Sequence, residues 1–232
     1  MENIFTRTEI LIGTEKLNKI KNAKVIVYGV GGVGSFVVEA LARAGVGHII
    51  IIDYDKVAIS NVNRQIIATN ETIGKYKVEV AKERILSINP NAVVEAYRPD
   101  EIKNGETSII DSSVDYVVDA IDTMKNKLEI IKKAHKENVP IISAAGAANK
   151  LNPLMFEVAD IYTTSVCPVC KILRKELKKS GIKKHKVVYS KEEPIKPQYK
   201  ENQEKALGSI SFVPSVAGLI IASEVVKDVM KK

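Results

Sequence analysis

At 232 residues, with 45% hydrophobic and 27% charged residues, the chain is long enough for one large α/β domain with a proper core and short for two. No apolar run approaches the roughly 18 residues of a membrane span, and the opening Met1-Glu2-Asn3-Ile4-Phe5-Thr6-Arg7 has no basic region followed by an apolar core, so a cytoplasmic protein with no membrane partner is expected. The formal charge of +7 is concentrated in Lys171 to Lys205, where 12 Lys and Arg stand against five acidic residues while the remainder balances. Such a segment suits a polyanion such as RNA, and equally a lysine-rich helix face with a solvated loop.

Residues 1–22 read as a helical lead-in, with Phe5, Ile10, Leu11, Leu17 and Ile20 as apolar contacts and Gly13 as a break. The β-branched run Lys24 to Tyr28 predicts a strand. It turns through Gly29-Val30-Gly31-Gly32-Val33-Gly34 into a helical pattern that puts Val33, Phe36, Val37, Ala40, Leu41 and Ala44 on one face. Gly29 permits the tight turn, Gly31 and Gly32 let a phosphate approach bare backbone, and Gly34 lets the helix lie close on the strand. A second apolar run, Ile49 to Ile52, ends in Asp53, roughly 20 residues after the turn, as expected of a ribose-binding carboxylate. A glycine turn with a downstream Asp suits NAD, FAD or ATP.

The next stretch separates these. Ser60-Asn61-Val62-Asn63-Arg64-Gln65, then Gly74-Lys75-Tyr76-Lys77, offers two cations, Arg64 and Lys77. Hydride transfer asks for a neutral nicotinamide pocket, whereas attack at a phosphate needs fixed cations where charge builds. Lys77 opens a helix expected over Lys75 to Ile88 and stopped by Asn89-Pro90-Asn91. A lysine there opposes the helix dipole unless an anion lies near, although a plain surface lysine fits the position too.

Ala92 to Tyr97 predicts a third strand, Ile102 to Ile110 a short helix, and Tyr116 to Ala120 a fourth strand ending at Asp119 and Asp122. Carboxylates at the C-terminal end of a parallel strand are placed to hold Mg²⁺ against phosphate oxygens, and Asp122 is the chosen ligand; capping of the next helix, Thr123 to Glu137, is its other reading. Pro140 to Gly146 and Met155 to Asp160 predict further strands, Pro168 to Ser180 a basic helix closed by Gly181, and Lys186 to Ser190 a last strand. A mobile loop is expected near 191–207, and Ser215 to Met230 reads as an apolar helix. Cys167 and Cys170 form half of a tetrahedral zinc set and are read as reduced, structurally incidental thiols; His48, His135 and His185 lie outside every motif and are read as surface residues.

Gly29 to Gly34, Asp53 with Asp55, Asn61 to Gln65, Lys77 and Asp119-Ala120-Ile121-Asp122, in this order, resemble the ubiquitin-activating-like (ThiF/MoeB/HesA) adenylating superfamily. Within it the chain is most similar to the tRNA threonylcarbamoyladenosine dehydratases, over essentially its whole length and more weakly after Pro194. The resemblance implies one adenylation domain over 1–232: a Rossmann-like, mostly parallel sheet with helices on both faces, continued by an antiparallel C-terminal portion. A nucleotide-binding half would span 23–150 and a substrate-facing half 151–232.

It further implies ATP and Mg²⁺ as cofactors, with Gly29, Gly31, Gly32, Gly34, Asp53, Asp55, Asn61 and Gln65 binding the nucleotide. Arg64, Lys77 and Asp122 would be the catalytic group, and Arg7 would reach the ATP phosphates of a neighbouring subunit in a homodimer; a frayed surface arginine is the alternative. The departures are Asp122-Thr123 where protein-activating members carry Asp-Asn, and the lack of a second cysteine pair and of an obvious acceptor cysteine. They favour dehydration of threonylcarbamoyladenosine in tRNA through an adenylated carboxylate. A sulfur-carrier or ubiquitin-like protein adenylyltransferase and a non-catalytic nucleotide-binding scaffold are the alternatives, and a sulfur-transfer protein is a further partner the resemblance allows.

Overall fold

The computed structural model of the chain describes residues 3–196 and 207–232. The lead-in is two helices, α1 (Thr6–Ile12) and α2 (Thr14–Asn22), broken at Gly13, whose φ of +83° suits glycine. Leu17 and Ile20 are buried as expected, and so is Phe5, which lies just before α1. Ile10 and Leu11 are not, being 75% and 83% exposed. The 3.6-residue repeat of so short a helix leaves them on its outer side.

Then follow β1 (Lys24–Tyr28), α3 (Gly34–Ala44), β2 (His48–Ile52), α4 (Lys77–Ile88), β3 (Val93–Tyr97), β4 (Tyr116–Asp119), α5 (Met124–Lys136) and β5 (Ile141–Ala144). The C-terminal part contributes β6 (Phe156–Asp160), α6 (Pro168–Lys179), β7 (Lys186–Ser190) and α7 (Phe212–Lys231). The seven strands lie in the order β3-β2-β1-β4-β5-β7-β6. Every neighbouring pair is parallel except β6 with β7, so the antiparallel portion amounts to one edge strand. β7 follows β6 in the chain yet inserts between it and β5.

Both faces of the sheet are covered, which is why the central strands are continuous apolar runs. Val25, Val27, Ile49 and Ile51 face α3, α4 and α7, whereas Ile26, Ile50, Val117 and Val187 face α5 and α6. The strand order reverses between β1 and β4, so a crevice opens at their C-terminal ends, where open α/β sheets bind ligands.

Two expectations are corrected. No helix forms over 102–110: Asn104 and Gly105 take φ of +66° and +90°, and the segment runs as successive turns pinned by buried Ile102 and Ile110. The last helix starts at Phe212, with Pro214 tolerated in its first turn. Of the loop expected near 191–207, residues 197–206 lie outside the described residues. No helix among the described residues is long and apolar enough to cross a membrane.

Candidate nucleotide site at the β1–β4 crevice

The glycine turn divides into glycines that serve the fold and glycines that face outward. Gly29 takes φ of +86°, and a Cβ there would stand 2.8 Å from the Ala120 carbonyl oxygen of the β4–α5 loop; a Cβ on Gly34 would meet the Gly29 oxygen at 1.8 Å. Both are therefore obligatory for the close approach of α3, β1 and the end of β4. Gly31 and Gly32 are roomier: the nearest atoms to their Cβ positions are Gln65 Nε2 at 3.8 Å and Pro214 Cβ at 3.2 Å. No side chain caps the start of α3. Backbone N–H groups at the head of an uncapped helix form an anion receptor.

Asp53 sits directly beneath this turn. Its Oδ2 accepts the Val30 N–H at 2.6 Å and its Oδ1 accepts the Asp55 N–H at 2.8 Å. Burial pushes its carboxyl up, against the Lys77 charge and these two donors, which pull it down. The ribose-type carboxylate thus also clamps the turn, leaving each oxygen one lone pair for a ligand. Lys77, the first residue of α4, is nearly buried; its Nζ stands 2.6 Å from Asp55 Oδ2 and 3.9 Å from Asp53 Oδ1. Asp55 is largely exposed, so it is the partner an arriving phosphate would compete with.

Asn61, Arg64 and Gln65 occupy the other flank. Asn61 is buried and shapes a single helical turn: its Oδ1 accepts the Ala58 N–H, and its carbonyl accepts the N–H groups of Arg64 and Gln65. That turn aims both following side chains at the glycines. Arg64 Cδ lies 3.6 Å from the Gly32 Cβ position, and its guanidinium folds back onto the Ser60 carbonyl at 2.7 Å and Asn63 Oδ1 at 3.0 Å. Gln65 is buried, and its Oε1 is among the buried side-chain oxygens without a protein partner. The Gln65 amide meets bare glycine backbone through its Nε2, while its Oε1 is left without a donor.

The third flank is the β4–α5 loop. Asp119 is fully buried against Lys127 of α5 and also accepts the Ile121 N–H at 3.3 Å; Asp122 is exposed and accepts a long hydrogen bond from Thr123 Oγ1 at 3.4 Å. Neither Asp122 nor Thr123 caps α5 through its side chain. Among the described residues no group of three or more His, Cys, Asp or Glu forms a metal cage. Asp119 is occupied by Lys127, so Asp122 is the exposed carboxylate of this loop; a single carboxylate is a donor set that Mg²⁺ accepts when phosphate oxygens and water complete its shell.

Arg7 is apart from this assembly. It lies on α1, and Phe5, which precedes that helix, packs on Gly45 at the C-terminal end of α3, roughly 16 Å along that helix from the glycine turn. Cys167 and Cys170 are both buried and unoxidised, with the Cys170 thiol donating toward Cys167 Sγ, which pulls Cys167 down and pushes Cys170 up. Of the histidines, His185 corrects the surface expectation: it is buried beneath α5, with Nε2 2.9 Å from Ser143 Oγ and Nδ1 3.4 Å from His135 Nε2. Lys127 and Ser35 were not singled out in the sequence. Ser35 Oγ accepts the Ile66 N–H at 3.3 Å, tying α3 to the Arg64–Gln65 segment. A lysine in the apolar stripe Lys127-Ile130-Ile131-Ala134 was the available signal for Lys127.

Comparison with known proteins gives the chain a family. The ThiF family matches residues 5–232. The tRNA threonylcarbamoyladenosine dehydratase of Bacillus subtilis is 44% identical, covering 98% of this chain and 94% of the relative, and that of Haemophilus influenzae is 33% identical over 94% and 90%. A sulfur carrier protein adenylyltransferase of Thermus thermophilus is 34% identical over only 58% of this chain. Among solved structures, the Escherichia coli tRNA N6-threonylcarbamoyladenosine dehydratase in complex with ATP superposes with a TM-score of 0.85 at 31% identity, covering 98% of this chain and 93% of that one. This chain belongs to the ThiF family.

Proposed function

We propose that the chain is an ATP-dependent tRNA threonylcarbamoyladenosine dehydratase of the cytoplasm. The threonyl carboxylate attacks the α-phosphorus of ATP, pyrophosphate leaves, and the carbamoyl group then closes a ring on the activated carbonyl carbon, with AMP departing and net loss of water. The observation that carries this is Arg64 and the Gln65 amide set side by side over bare Gly31–Gly32 backbone, in a chain related over nearly its full length to such dehydratases.

A carboxylate nucleophile needs no general base; it needs alignment and an offset for phosphate charge. Gly31 and Gly32 receive the triphosphate. Arg64 exchanges the Ser60 carbonyl for a phosphate oxygen, Lys77 leans from Asp55 toward the same charge, and Asp53 accepts a ribose hydroxyl. Asn61 holds the Arg64–Gln65 turn in place. Asp122 would hold Mg²⁺, which supplies charge neutralisation on the phosphates. Arg7, on α1 beside the far end of α3 and so too distant to serve its own turn, acts on the partner site of a homodimer. Ile10 and Leu11, exposed beside it, support a second copy covering α1. The substrate tRNA and, through the same family likeness, a sulfur-transfer protein complete the proposed partners.

The test is to incubate the protein with Mg-ATP and tRNA carrying threonylcarbamoyladenosine, then weigh the released nucleoside. A product lighter by one water, with ATP consumption that requires the modified tRNA, is expected. Pyrophosphate exchange that depends on a Gly-Gly-terminated carrier protein and ignores tRNA would overturn it.

A further inference from the structure

A second opening lies at the opposite end of the sheet from the glycine turn. It has a volume of about 930 Å³ and is framed by the starts of β4, β5 and β7, the C-terminal end of α5 and the α6–β7 loop. Four exposed lysines line it, Lys132 and Lys136 from α5 and Lys183 and Lys184 from the loop. None of the four is in an ion pair among the described residues. Among the described residues the one acidic side chain in the lining is Asp228, and it is already committed: Lys186 Nζ stands 2.6 Å from its Oδ2 and the Tyr116 hydroxyl 2.9 Å.

Helix C-termini attract lysines, and α5 and α6 both end here. That accounts for Lys136 in the last turn of α5, but Lys183 and Lys184 lie beyond α6 in the loop. Glu176 and Glu137 stand near enough to Lys132 and Lys136 to feel their charge, but each is hydrogen-bonded to another lysine, Lys179 and Lys133, so the concavity keeps a positive excess that favours a polyanion. The concave shape selects among polyanions, since a flat bilayer surface cannot enter it and a phosphate ridge can. The sequence-level charge surplus reaches the same place from the other side, because Lys183 and Lys184 belong to the basic segment and Lys132 and Lys136 extend it onto α5.

We infer that this groove is an RNA-backbone subsite, in which Lys132, Lys136, Lys183 and Lys184 hold phosphates of the substrate tRNA away from the reacting adenosine. The inference rests on the dehydratase function proposed above and adds where the rest of that tRNA lies. Its contacts position the RNA and carry no sequence information. Because the groove and the crevice lie at opposite ends of the strands, the RNA runs along the α5–α6 side of the domain between them.

The experiment compares the wild-type protein with Lys132→Glu/Lys136→Glu and Lys183→Glu/Lys184→Glu, and with the milder pair of double alanine variants. Filter binding to tRNA is measured between about 50 and 200 mM salt, where such contacts weigh most. Each glutamate double variant is expected to bind tRNA at least about tenfold more weakly, with a salt slope shallower by about 0.9 per lost phosphate contact. ATP affinity should stay within twofold, which also reports an intact fold. Wild-type turnover that requires modified tRNA, together with variants whose tRNA affinity and salt slope are unchanged, would overturn the groove and leave the function standing. A wild-type protein that binds no tRNA would overturn both. Loss of binding to phosphatidylserine vesicles in the variants, with tRNA binding unaltered, would assign the patch to a membrane surface instead.

Discussion

Lys127 and Asp119 form an ion pair sealed from solvent: Lys127 Nζ lies 2.8 and 2.7 Å from the two carboxylate oxygens and donates as well to the Ala144 carbonyl at 3.1 Å. Burial pushes the Asp119 carboxyl up, and Lys127, the Ser143 hydroxyl and the Ile121 N–H hold it down. The pair joins α5 to the ends of β4 and β5 and fixes the loop that carries Asp122. Lys127→Met leaves a buried carboxylate unpaired, at a cost of about 3–5 kcal/mol and a melting temperature lower by on the order of 10 °C. The double variant Asp119→Leu/Lys127→Met is expected to recover much of that stability but little of the ATP turnover, because the Ile121 N–H loses its acceptor. Thermal unfolding and turnover, measured side by side, separate the two effects.

Among the described residues the Arg64 guanidinium hydrogen-bonds to Ser60 and Asn63 alone, both at the surface, so Arg64→Ala should unfold within about 0.5 kcal/mol of wild type. Its effect belongs to phosphate chemistry, with turnover falling by roughly 10²–10³. Full activity in this variant would remove Arg64 from the site.

The glycines of the turn are expected to separate cleanly by substitution. Gly34→Ala forces a Cβ to within 1.8 Å of the Gly29 oxygen and should cost the protein its cooperative fold. Gly31→Ala meets nothing closer than 3.8 Å, so it should melt near the wild-type temperature while binding ATP at least about tenfold more weakly. Calorimetric titration with ATP on both proteins checks this.

Burial holds His185 neutral, pushed down to about 3, with the charges of His135 and Lys127 adding to the effect. In the unfolded chain the imidazole takes up a proton below about pH 6.5, so stability falls as pH drops from there toward the folded value, by up to about 1.4 kcal/mol per pH unit. His185→Gln should be less stable at pH 7.5 through the altered bond to Ser143, yet show a flatter decline between pH 6.5 and 5. Urea midpoints across that range test the slope.

Glu39 titrates with the same sense through a different cause. Burial raises its carboxyl, but hydrogen bonds from Arg84 and Arg43 outweigh burial and leave it below the usual carboxylate range. Its contribution is complete above the ordinary glutamate value and is lost as pH falls through the depressed one. Glu39→Gln should therefore cost about 2 kcal/mol at pH 7 and progressively less on acidification below pH 4.

Local pattern carried most of the elements. The β-branched runs Lys24–Tyr28 and Lys186–Ser190 are strands residue for residue, and the glycine turn sits where its spacing put it. Strand order was not legible, because nothing in Phe156–Asp160 or Lys186–Ser190 says which of them lies beside β5. In the site, residue type and position were readable but pairing was not. Asp55 holding Lys77, and Asp53 clamping Val30, depend on loop geometry that no periodicity encodes. His185 was misread for a similar reason: one polar residue just before a strand looks solvent-facing until α5 is laid over it.

The inserted position of β7 governs the order in which the molecule can assemble. On the ribosome β6 emerges first and finds no neighbour, since the vacant edge of β5 is reserved for a strand still to be made. Both edges stay open until β7 arrives and bridges them in one step, so a nascent chain halted before residue 186 carries two unpaired sheet margins, the form most exposed to capture by chaperones or by its own kind.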